Sequence, residues 1–67
     1  MPTPEQLAAA WSDVELEVQR RIRLRQARIR RLRKAGQPVK PWRRAEIDRL
    51  EDLLAAARER RRELPEL

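Results

Sequence analysis

Sixty-seven residues make one domain at most, and the absence of cysteine and histidine excludes disulfide staples and the usual zinc ligands. Seventeen Lys and Arg against eleven Asp and Glu leave a net charge of +6, with fifteen of the cations being arginine, a bias towards planar, bidentate contacts to phosphate or carboxylate. A lone core in a chain below ~70–80 residues rarely supplies more than ~3–5 kcal/mol, so a partner or a second copy is expected to complete this one.

Thr3-Pro4-Glu5-Gln6 reads as a helix start, with Thr3 at the N-cap, Pro4 at the first helical position and Gln6 closing a capping box. The pattern runs to Lys34-Ala35, where Gly36 supplies a left-handed cap. Ser12-Asp13-Val14-Glu15 forms a second capping box, with Trp11 and Leu16 placed as a hydrophobic staple around it. That pattern predicts a break near residues 11–12, with a short helix at Pro4–Ala10 before a long one at Asp13–Ala35; a serine simply carried mid-helix is the alternative. Length favours the break, because an unbroken first helix would overhang the second by about ten residues, ~15 Å. The connector at 36–41 is stiffened by Pro38 and Pro41. A second helix is expected from Pro41 or Trp42 to Leu64, stopped by Pro65. No strand pattern or repeat appears.

The apolar seam of the first helix comprises Leu7, Trp11, Val14, Val18, Ile22, Ile29 and Leu32, and Arg25 fills its one gap. On the second helix the seam is Ile47, Leu50, Leu54, Ala57 and Leu64, interrupted by Arg61. An arginine buried without a partner is costly, so each should meet a carboxylate or snorkel. Antiparallel folding answers this by bringing Arg25 to Glu51 and Arg61 to Glu15 or Glu17. It also sets Asp13, Glu15 and Glu17 against Arg58, Arg60, Arg61 and Arg62, whereas parallel helices would set like against like. The expected fold is an all-α antiparallel helical hairpin, completed by dimerisation or docking.

Several function classes fall away. Without Cys or His, and with no enclosed pocket expected between two helices, no enzyme and no cofactor are read here. Glu15 and Glu17 are expected to form a solvated acidic face. The longest uncharged stretch at the first helix, Gln6 to Ser12, is too short for a bilayer span or a signal-peptide core. A cytoplasmic or virion-internal protein, neither secreted nor membrane-spanning, is the expectation.

From Val18 to Ala45 there are twelve basic residues and no acidic one. Arg20, Arg23, Arg30, Arg31 and Lys34 point away from the seam and form a stripe ~20 Å long. Together with Arg28, Lys40, Arg43 and Arg44 they are the candidate nucleic-acid-binding residues, matching phosphates spaced along a backbone. A solvated face is the bland alternative for such a run, but this one is long and unbalanced. Base reading finds little support: only Trp42 could stack on a base, and it is expected instead to flank Leu53 and cap the loop end of the core.

The short N-terminal helix, the Ser-led cap Ser12-Asp13-Val14-Glu15, the loop Ala35-Gly36-Gln37 and the run Ile47-Asp48-Arg49-Leu50 before Arg-rich turns resemble a known family. It is the small two-helix ribosomal protein of the large subunit, the L twenty-nine family. Leu32-Arg33-Lys34 stands where that family carries a Leu-Arg-aromatic-Gln segment. The resemblance implies basic residues that clamp ribosomal RNA near the tunnel exit. A different class of function is a structural or assembly adaptor, phage or bacterial, whose helices complete a protein bundle. Leu16, Leu24 and Ala27 lie off the main seam and offer a second contact surface, and Leu7 to Trp11 with Leu67 add an apolar end.

Overall fold

Two helices form where the cap residues place them. In the computed structural model, which describes residues 1–64, α1 spans Pro4–Lys34 and α2 spans Pro41–Arg62. The Gln6 N–H donates to Thr3 Oγ1 at 3.2 Å, and the Thr3 N–H donates to Gln6 Oε1 at 2.9 Å. Two orphan donors of the first turn are thus satisfied reciprocally. At the other end Gly36 adopts φ 69°. The Gln37 N–H donates to the Leu32 carbonyl at 2.9 Å and the Gly36 N–H to the Arg33 carbonyl at 3.0 Å. These two bonds close a Schellman motif, whose left-handed residue is least costly as glycine.

The break near Ser12 does not form: α1 is continuous through it. The reason lies across the hairpin. In a capping box the Glu15 carboxylate would turn back to the Ser12 backbone, but here Arg61 Nη1 holds it at 2.7 Å and Arg58 Nε at 3.3 Å. Arg61 Nη1 also donates to Ser12 Oγ at 3.4 Å, so the serine hydroxyl has a partner in the unbroken helix. The Leu-Ala-Ala-Ala run at residues 7–10 favours helix strongly enough to carry α1 past the end of α2. An overhang results, and the molecule is a rod of 52 × 17 × 15 Å.

α2 begins at Pro41 on a Lys40 N-cap that supplies no side-chain hydrogen bond, and its helical residues stop at Arg62. The expected stop at Pro65 and the apolar Leu67 lie outside the described residues. α2 returns antiparallel along α1, as the ion pairs Arg25–Glu46 and Arg61–Glu15 require.

The core is thin. Val18, Ile22, Ile29 and Ile47 form its buried centre, with Leu50, Leu54 and the loop residue Val39 packed against it. Ala57 is buried as well; it has no side chain beyond Cβ to hold α1 away. Two seam expectations need correction. Val14 is exposed and its neighbour Glu15 is the buried residue, at 6% relative exposure, because the Arg58 and Arg61 stems reach over it. Glu15 is therefore no part of a solvated acidic face. Arg25 pairs with Glu46 at 3.0 Å and not with Glu51. At about 100° per residue, Glu46 and Arg25 fall on one flank of the hairpin, whereas Glu51 lines the groove on the other flank beside Arg23 and Gln26.

Candidate nucleic-acid interface

The ion pairs divide the cations into two populations. Arg58 and Arg61 hold Glu15, Arg60 lies 4.0 Å from Glu63, and Arg62 lies 3.7 Å from Glu59. Every arginine at the far end of α2 therefore has a carboxylate. Next along α1, Arg20 and Arg21 share Glu17 at 3.8 and 3.2 Å, and Arg25 takes Glu46. From there to the loop and into α2 the pattern reverses. Arg23, Arg28, Arg30, Arg31, Arg33, Lys34, Lys40, Arg43, Arg44 and Arg49 form no ion pair among the described residues.

Each sequence-predicted residue has a definite place in this division. Arg20, Arg23, Arg28, Arg30, Arg31, Lys34, Lys40 and Arg44 are exposed, and Arg43 is half-buried. Helical phase puts Arg20 and Arg31 on the outer face of α1, opposite the core, with Lys34 between that face and the phase of Arg23. Arg23 and Arg30 turn from that face towards the groove between the helices. One stretch of this groove is lined by Gln26, Arg30, Arg33, Arg44, Asp48 and Glu51, so its cations share space with two carboxylates. Arg28 lies on the opposite flank, near the phase of Arg21 and Arg25. The five stripe residues thus share one side of α1, and Arg28, Lys40, Arg43 and Arg44 extend the basic surface into a wrap towards and around the loop.

The start of α2 adds a second element. No acidic residue occupies its first turn, while Lys40, Arg43 and Arg44 do surround it. Cations there oppose the positive end of the helix dipole, an arrangement that favours a nearby anion. Trp42 does not cap the core, contrary to expectation: it is 56% exposed, and Leu53 is exposed as well. The loop end of the core is filled by Val39 instead. Arg43 covers the Trp42 ring, its guanidinium carbon 4.4 Å from the centroid.

Sequence reasoning left Arg33 out of the candidate set, although it belongs to the same run and lines the groove with Arg30 and Arg44. Its phase near the seam concealed it. Off the core, Leu16 and Leu24 are exposed, as their phase requires, and Ala27 is half-buried.

Among the described residues no cluster of carboxylates is placed to hold a metal ion, and no helix is long and apolar enough to cross a membrane. No family model, no curated protein and no solved structure matches this chain.

Proposed function

We propose that the loop half of the hairpin binds nucleic acid through its backbone phosphates, without catalysis. The observation that supports this reading is the division of the cations. Arginines at the end distant from the loop are neutralised by carboxylates, whereas the cations from Arg28 through Arg44 have no carboxylate within 4.0 Å among the described residues. A scaffold that needed arginine only for solubility or register would have no reason to segregate its unpaired charge at one end. A chain of phosphates supplies the missing anions, and counterion release makes the binding strongly salt-dependent.

Two double variants that remove equal charge test the reading. Arg23→Gln with Arg31→Gln takes unpaired cations from the basic wrap, and Arg60→Gln with Arg62→Gln takes paired ones from the far end. Glutamine keeps helix propensity, so far-ultraviolet circular dichroism should not change. On duplex DNA the first variant should flatten the dependence of log affinity on log salt by about 0.9 per lost contact. The second should leave the slope nearly intact. Equal effects would replace a defined face with diffuse attraction, and no binding by the parent protein at moderate salt would refute the proposal.

A second reading has its own support. Leu16, Leu24 and Leu53 are at least half exposed and lie away from the core, separate apolar points that suit an assembly adaptor docking into a protein bundle. Nuclease treatment of the native protein separates the two: the adaptor's complex survives it, and the nucleic-acid complex does not. Homology to the L twenty-nine family would make ribosomal RNA the polyanion.

A further inference from the structure

Trp42 is the largest side chain of α2 and lies outside the buried cluster of the hairpin. It is 56% exposed, and the hydrophobics packed against the buried cluster are Val39, Leu50 and Leu54. Its surroundings also select what could cover it. Lys40, Arg43 and Arg44 stand within one turn of it with no acidic residue in the first turn of α2, and the carboxylate one turn on, Glu46, is taken by Arg25 at 3.0 Å. A cationic or purely apolar partner would have to desolvate these charges without compensation, whereas an aromatic group carried on an anionic chain would satisfy ring and charges together. The Arg43 guanidinium carbon lies 4.4 Å over the ring centroid and covers one face of the indole, so an added base would stack on the guanidinium itself or on the opposite face.

We infer that Trp42, with Arg43, is a stacking platform for an unpaired nucleobase, so that the basic wrap takes single-stranded nucleic acid, or a single-stranded junction, in preference to a continuous duplex. This rests on the phosphate-binding reading and adds its substrate class. In a duplex both faces of every base are occupied by neighbours and unavailable to an indole on a helix surface. A splayed base offers a free π-face, and stacking on an aromatic side chain tolerates any base. Phosphates flanking that base would lie against Lys40, Arg43 and Arg44.

Trp11→Phe gives a full-length chain in which Trp42 is the only fluorophore of its kind. It is titrated with oligothymidylate, with oligouridylate, with an abasic strand of the same phosphate count, and with a duplex of equal length. The inference expects quenching by a base-bearing strand and affinity for it at least about fivefold above that for the abasic strand at the same salt. Quenching by either the deoxy or the ribo strand supports the platform and assigns the sugar. Trp42→Ala should abolish the preference for bases while leaving abasic affinity and salt slope unchanged; Trp42→Phe should retain part of it. Equal affinity for base-bearing and abasic strands, or tighter binding of the duplex with unquenched fluorescence, overturns the inference but leaves phosphate binding standing. Failure of all four to bind removes both.

Discussion

Replacing Glu15 by glutamine removes one negative charge from beneath two guanidinium groups while keeping the shape of the side chain. The carboxylate is 7% exposed and holds Arg61 Nη1 at 2.7 Å and Arg58 Nε at 3.3 Å. A hydrogen bond to a charged group contributes about 1.5–3 kcal/mol when well sheltered. Both arginine side chains are 46% exposed, so they rehydrate when the charge goes, and solvent screening lowers each contact towards ~0.5–1 kcal/mol. The expected loss for Glu15→Gln is therefore about 1–2 kcal/mol, a fall of roughly 5–15 °C in Tm for a domain of this size. Thermal and urea unfolding followed by circular dichroism would measure it. Glu15→Leu should cost less than glutamine, because glutamine still buries a polar amide at this site and leucine buries none. Glu17→Gln is the control: its partners Arg20 and Arg21 are exposed and lie on the same helix, and the change should stay below ~0.5 kcal/mol. A Glu15→Gln protein as stable as the parent, or a double-mutant cycle with Arg61→Ala that shows no coupling, would refute the account of α1 continuity given above.

The flank assignment of Arg25 predicts that Glu46→Ala destabilises by about 0.5–1.5 kcal/mol and couples to Arg25→Ala, whereas Glu51→Ala does neither. The reverse order would restore the pairing read from sequence. The thin core and exposed Leu16, Leu24 and Leu53 predict self-association: sedimentation at micromolar concentration should find dimers or larger species, or a poorly folded monomer, and a cooperative monomer would contradict this.

Much of the hairpin could be read from residue spacing alone. The Thr3–Gln6 capping box, the Gly36 closure and the start of α2 at Pro41 arise from interactions within a few residues, and they formed where expected. Antiparallel pairing followed from the distribution of charge along the two seams, since only that direction gives Arg61 a carboxylate. The basic run between Val18 and Ala45 was equally legible, because a run without acidic residues stays basic in any helical phase.

Tertiary structure decided which local signal prevailed and which way each long side chain turned. Ser12-Asp13-Val14-Glu15 is a valid cap until Glu15 is claimed by Arg58 and Arg61, residues more than forty positions away. Glu51 stands at nearly the right level for Arg25, but level along the axis does not fix the flank; the angle around the helix does, and it gives the pair to Glu46. Trp42 would serve equally well in sequence as a core cap, and Val39 fills that end first because the stiff connector presses it onto the core. In each case spacing along one helix was sufficient to propose a partner, and the partner was fixed only when the second helix had docked.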